Sequence, residues 1–372
     1  MSGRTREREG GQSGGQTGEK LDGREGGHAG ACSCGQLGGH VDGKPDGQPA
    51  GWLGEAGRVA GRECGRFGGI VVPIATPCGE DEALDEDLLG ALADGLLKKG
   101  VHGMYICGGT GDGANMLPEE RRRASELLLP KLRRAGRAAI VHVGQANLRT
   151  AVALAEHAGA AGANAVAAIP PRGTWGGADE YYRALAGAGL PTIVYYIPAA
   201  TGMAGDFRDI AALLEIPGVE GIKVSDWNVF LIRQIKAAYP ERSVFSGYDE
   251  MLLHGLSCGA DGSIGTWAQI FPALYLRVYS LARAGRWSEA RAWFDKFAAF
   301  LAEGWRYGIL PVFEAIMARR GFPRCFRRPL GWAPAEIPPA AAEALDGAAA
   351  ALEAGAEAEA RAGAEAEAGA KA

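Results

Sequence analysis

Short apolar runs recur along the middle of the chain, at residues 69–75, 102–107, 139–144, 165–169, 192–197, 221–224, 244–247 and 262–265. Each is four to seven residues long and is bounded by glycine, proline or polar residues, the pattern of a buried β-strand. Between most of them the apolar positions change to a helical period, as at 118–134, 148–159, 206–215 and 229–239. Pro118 with Glu119 and Glu120 reads as a helix start, because proline lacks the N–H that a first turn leaves unpaired and carboxylates favour that end. Eight strands alternating with helices predict a parallel sheet closed into a (β/α)8 TIM barrel, with a doubly wound open sheet as the alternative. Further helical stretches near 269–284, 287–302, 304–320 and 340–354 predict a C-terminal helical extension.

The ends of the chain read differently. Residues 1–66 are rich in glycine and almost without periodic apolar positions, so they cannot bury enough surface to offset the entropy of ordering. We expect a disordered tail there, a catalytic barrel over 67–302, the helical extension over 303–354 and an unstructured Ala/Glu tail over 355–372. His28, Cys32, Cys34, His40 and Cys64 fall in the first tail. The Cys-x-Cys spacing is tighter than a usual zinc pair, so no metal site is expected.

With 47% apolar and 22% charged residues among 372, the composition is that of a globular protein. The net charge of −5 and the lack of a basic run with interleaved aromatics argue against nucleic acid as partner. No apolar run approaches the ~18 residues of a membrane span, so no membrane partner is expected. Seven scattered cysteines and the absence of an apolar leader suit reduced thiols in the cytoplasm.

Lys223 then stands out. It interrupts the apolar run Gly221-Ile222-Lys223-Val224, whereas the other lysines lie in tails or on predicted helices. An ammonium taken out of water is penalised, and a neutral amine in a dry pocket is the nucleophile that attacks a ketone to form a Schiff base. A snorkelling or salt-bridged strand lysine is the other reading of this residue.

Active sites of such barrels lie at the C-terminal ends of the strands. That criterion selects the loop Cys107-Gly108-Gly109-Thr110-Gly111-Asp112-Gly113, the pair Tyr195-Tyr196, Lys223 with Ser225 and Asp226, then Gly247-Tyr248-Asp249-Glu250, and Gly265-Thr266. The glycine-rich loop lacks the spacing of a nucleotide motif, but backbone N–H groups beside a threonine hydroxyl can hold a small carboxylate; a plain tight turn is the alternative. Tyr195 is a candidate proton shuttle or else a core aromatic, and only one of Tyr195 and Tyr196 can face the barrel interior.

The Gly-x-Thr-Gly-acid loop, the Tyr-x-Ile-Pro strand end and the Gly-Ile-Lys strand, in this order, resemble the dihydrodipicolinate synthase/N-acetylneuraminate lyase superfamily. The resemblance covers about 66–350 and implies a class I aldolase or dehydratase of 2-keto acids. It also implies a homotetramer and no metal or organic cofactor beyond the covalent Schiff base on Lys223. Phe245-Ser246-Gly247-Tyr248-Asp249-Glu250, the following Gly259–Thr266 stretch and Arg327-Arg328-Pro329 are similar to the sialic acid lyases. By that match Lys223 and Tyr195 are catalytic. Gly109, Thr110, Ser225, Gly247, Asp249, Glu250 and Thr266 bind substrate, with Asp249 and Glu250 meeting its hydroxyl groups.

The chain also departs from the family pattern. Gly109 replaces a carboxylate-binding serine, Tyr196 an asparagine and Asp112 a glutamate. Ala199-Ala200-Thr201 lacks the arginine of the lysine-biosynthesis branch, and Ala200-Thr201-Gly202 is similar to the 2-keto-3-deoxygluconate aldolases. The expected reaction is cleavage of a 2-keto sugar acid, N-acetylneuraminate first, to pyruvate and N-acetylmannosamine. A 2-keto-3-deoxygluconate-type aldolase or dehydratase, and a keto-acid-binding barrel without turnover, are the alternatives.

Overall fold

The computed structural model describes residues 67–327 apart from 174, 203 and 204, together with 336–371. The glycine-rich stretch 1–66 with its histidines and cysteines, and Arg328 and Pro329, lie outside the described residues.

All eight expected strands form, and they pair in parallel in sequence order. They are β1 (Gly69–Pro73), β2 (Gly103–Ile106), β3 (Ala138–His142), β4 (Ala165–Ala168), β5 (Thr192–Tyr196), β6 (Val219–Val224), β7 (Ser243–Ser246) and β8 (Gly262–Ser263). β8 pairs back onto β1, which closes the barrel and leaves no exposed sheet edge. The helices that follow the strands are α1 (Glu86–Lys98), α2 (Pro118–Arg134), α3 (Leu148–Ala161), α4 (Ala178–Ala186), the single turn α5 (Pro198–Thr201), α6 (Phe207–Leu214), α7 (Phe230–Ala238) and α8 (Leu252–Ser257).

Local chemistry sets the helix starts. Asp85 accepts the Leu88 amide ahead of α1, a cap worth about 1 kcal/mol. α2 opens at Pro118, and the Glu120 carboxylate accepts the backbone amides of Leu117 and Leu84. Two apolar layers result from the period-two alternation of the strands. Val71, Tyr105, Ile140, Ala165, Ala167, Ile193, Tyr195, Phe245 and Ile264 fill the barrel interior. The alternate residues, Tyr196 among them, pack outward under the helices.

After β8 come α9 (Pro272–Arg283), α10 (Trp287–Trp305), α11 (Ile309–Arg319) and α12 (Pro339–Lys371). The boundary expected between 302 and 303 therefore falls inside α10. The tail expected to lack structure beyond 355 is instead part of α12. Its alanines and glutamates are strong helix formers, and contacts with α9 and α10 dock it. The Glu353 carboxylate accepts the Ala273 and Leu274 amides at the start of α9. Glu359 pairs with Arg277 and accepts from the Trp293 indole N–H, while Ala349 and Ala356 are fully buried. Composition missed this because the partners lie some eighty residues away. Among the described residues no helix is long and apolar enough to cross a membrane, and Cys78, Cys107, Cys258 and Cys325 are free thiols.

Candidate active site

The site lies where the C-terminal ends of the strands open. Lys223, on β6, is at the same height as Tyr195 on β5 and Phe245 on β7. Its side chain is buried, with Nζ 4.0 Å from the centre of the Tyr195 ring and 5.2 Å from that of Tyr105. No carboxylate or carbonyl within the described residues pairs with it, so the salt-bridged strand lysine does not describe this residue. Tyr195 points inward and Tyr196 outward, where its hydroxyl meets the backbone of Gly205.

Beneath the lysine is an aromatic floor, of which the sequence pointed to Tyr195 alone. The rings of Tyr105, His142 and Tyr195 meet nearly edge to face or tilted, with centroids 6.0–6.3 Å apart. His142 Nε2 accepts the Ile169 amide at 3.1 Å, which requires an unprotonated nitrogen. Burial, then the Arg121 guanidinium and Lys223, hold its pKa well below the ordinary value, so the imidazole is neutral. Arg121 itself is buried and donates to the carbonyls of Gly144 and His142. The signal that singles out Lys223, a polar residue within an apolar run, also marks His142; nothing comparable marks Tyr105.

The glycine-rich loop folds back on itself. Cys107 and Asp112 adopt positive φ of 56° and 53°, and a Cβ at Gly113 would come within 1.9 Å of the Cys107 carbonyl oxygen. Asp112 accepts from the Asn115 side chain at 2.8 Å and from the Arg327 amide at 2.7 Å, tying the loop to the chain after α11. The Thr110 hydroxyl is buried and lies 2.8 Å from that of Thr266, so the ends of β2 and β8 meet there. Gly109 is exposed, and a side chain at that position would meet nothing within 4 Å.

Gly247 runs so close to the lysine that a Cβ there would come within 2.0 Å of Ser225 Oγ and 2.9 Å of Lys223 Cε. Ser225 Oγ is buried without a hydrogen-bond partner among the described residues, a cost of about 1–3 kcal/mol that a ligand hydroxyl could remove.

Asp249, expected to meet substrate hydroxyls, is already engaged within the protein. Its buried carboxylate accepts the Thr266 amide at 3.1 Å, the Trp267 amide at 3.0 Å and the Tyr275 hydroxyl. Both oxygens are thus engaged within the protein, and Asp249 holds the turn that carries Thr266. Burial raises its pKa to about 7, against the lowering by Tyr275. Glu250, next along the chain, is only half-buried and has no hydrogen-bond or ion-pair partner among the described residues. The adjacent pair therefore divides: one carboxylate supports the site and the other is free to meet a ligand.

Residues 66–348 match the Dihydrodipicolinate synthetase family. The chain belongs to this family. It is 34% identical over 260 residues to the N-acetylneuraminate lyase of Rhizobium meliloti (strain 1021), covering 68% of this chain and 86% of that one. It is 31% identical over 223 residues to the N-acetylneuraminate lyase of Enterobacter sp. (strain 638), covering 58% and 74%. The solved structure of the Ruminococcus gnavus wild-type sialic acid aldolase aligns with a TM-score of 0.71 at 25% identity, over 79% of this chain and 99% of that one. The chain is thus an enzyme, a lyase of the class I aldolase type.

Proposed function

We propose that the protein is a pyruvate-dependent aldolase that cleaves a 2-keto sugar acid, N-acetylneuraminate first, into pyruvate and N-acetylmannosamine. The observation that carries this reading is the buried, unpaired Lys223 amine 4.0 Å from the Tyr195 ring, at the mouth of a barrel.

The lysine attacks the C2 ketone, and the hydroxyl of the resulting carbinolamine leaves as water with a proton from Tyr195. The products of that step are an iminium and a phenolate. The phenolate then takes the proton of the C4 hydroxyl as the C3–C4 bond breaks. The bonding pair flows into the iminium, giving an enamine and a free aldehyde. Tyr195 returns the proton to C3, and water releases pyruvate from Lys223. The imine is the electron sink, so the reading calls for no metal or organic cofactor.

Thr110, Thr266 and the loop around Gly109 are proposed to hold the carboxylate, Ser225 the C4 hydroxyl, and Glu250 with the Gly247 backbone the tail. Family membership supports a homotetramer, and the reduced thiols a cytoplasmic setting. The engagement of Asp249 leaves one free carboxylate for tail hydroxyls, which favours a shorter 2-keto-3-deoxy acid as the second reading.

The test is incubation with pyruvate and borohydride, then mapping of the modified peptide by mass spectrometry. The expected adduct lies on Lys223 and is absent from Lys223→Ala; an unmodified Lys223 in the wild type overturns the proposal. Cleavage rates for N-acetylneuraminate and 2-keto-3-deoxygluconate then separate the two substrate readings.

A further inference from the structure

Beyond the residues that meet the reacting carbons, the mouth carries an aromatic tier. Tyr248, two residues past β7, has its ring 5.1 Å from that of Trp227, three residues past β6. The Trp227 indole lies 6.4 Å from that of Trp305, the last residue of α10. Both tryptophans keep about half of their surface in solvent, 54% and 50%. Three separate elements thus bring large aromatic faces together at one rim, where isolated chance exposure would scatter them.

The tier is continuous with the reacting centre. Tyr248 directly follows Gly247, whose backbone runs against Ser225 and Lys223, and burial, then Tyr195, Asp226 and Glu250, raise its pKa. Glu250 stands beside it with its carboxylate unpartnered among the described residues. A carboxylate selects hydroxyl hydrogens, and an exposed indole face selects a flat or weakly polar group. A polyhydroxylated chain that bears one planar acylamino substituent offers both.

We infer that Trp227, with Tyr248 and Trp305, forms a distal subsite for the N-acyl group on the aldehyde half of the substrate, while Glu250 meets the neighbouring hydroxyls. This assignment rests on the aldolase reading and narrows it, since a 2-keto-3-deoxy acid without an acyl group gains nothing from the tier.

The test compares N-acetylmannosamine with mannose as acceptors in pyruvate condensation, because the two differ only at C2, where one carries the acylamino group and the other a hydroxyl. The wild type is expected to show a lower KM for N-acetylmannosamine. In Trp227→Ala that preference falls about threefold to tenfold, the scale of one aromatic contact, while Trp227→Phe retains most of it. An unchanged preference in Trp227→Ala overturns the subsite, as does a loss of assembly by light scattering with the preference intact, which would make the tier an interface between copies. Quenching of tryptophan fluorescence by N-acetylmannosamine needs no turnover. Quenching that is weakened in Trp227→Ala, in a protein that forms no borohydride-trapped adduct, would therefore keep the subsite and remove the aldolase reading.

Discussion

The Nζ of Lys223 lies 4.0 Å from the centre of the Tyr195 ring, across a strand pair in which the two residues are register partners. An amine and a phenol so arranged can work on one substrate at once, the amine at C2 and the phenol at the hydroxyl two carbons along, on C4. Tyr195→Phe keeps the ring against the lysine and removes only the proton carrier. The expected result is a fall in kcat of roughly a hundredfold to ten-thousandfold, with the borohydride-trapped adduct on Lys223 still formed but more slowly, because the same phenol protonates the hydroxyl that leaves the carbinolamine. A kcat within a few-fold of wild type would take the proton role away from Tyr195.

Gly247→Ala tests the close approach beside the lysine. The added methyl would come within 2.0 Å of Ser225 Oγ and 2.9 Å of Lys223 Cε, so one of them must move. Adduct formation is expected to slow on the order of a hundredfold, as misplacing a reacting group does. Stability should fall by about 1–3 kcal/mol. Single-turnover trapping and a thermal melt read the two effects separately, and normal trapping would show that the lysine does not depend on this gap.

Asp249 predicts a pH dependence of stability. Its folded pKa is raised to about 7 by burial, above the ~3.9 of an unfolded chain. Between those values the folded state binds the additional proton, so stability declines as pH rises through that window and is level above it. Asp249→Asn cannot ionise and lacks this term. The difference between wild type and variant in denaturant melts should therefore change with pH between about 4 and 7, by at most about 1.4 kcal/mol per pH unit. A difference independent of pH would mean the carboxylate is already ionised at pH 4.

Glu353→Ala removes the carboxylate that caps α9 from the distant helix α12. Two amides of a helix first turn lose their partner, and a loss of about 1–2 kcal/mol is expected in denaturant melts. A stability equal to wild type would show that α12 contributes nothing through this contact.

Most of the barrel was legible because period-two runs and helical periods are local properties. All eight runs became strands, each within a few residues of its expected limits. Lys223, Tyr195, Thr110, Ser225, Gly247, Glu250 and Thr266 were found as polar or special residues at the strand ends, and the structure brings them to one mouth. Asp249 and Glu250 looked alike in sequence. They part because Tyr275 and the Thr266 and Trp267 amides, none of them local to Asp249, claim one carboxylate and leave the other. The helix beyond 355 was missed for the same reason, since its partners Arg277, Trp293 and the α9 amides are remote.

The sequence by itself determined the alternation of strands and helices, the opposite facing of Tyr195 and Tyr196, and the lysine placed within an apolar strand. Those follow from backbone periodicity and from the cost of placing charge among apolar neighbours. Tertiary structure alone decided which polar groups remain unpaired. Hydrogen-bond satisfaction depends on atoms that the fold brings from far along the chain, and it is those unpaired groups, the Lys223 amine, Ser225 Oγ and the Glu250 carboxylate, that are left for a ligand.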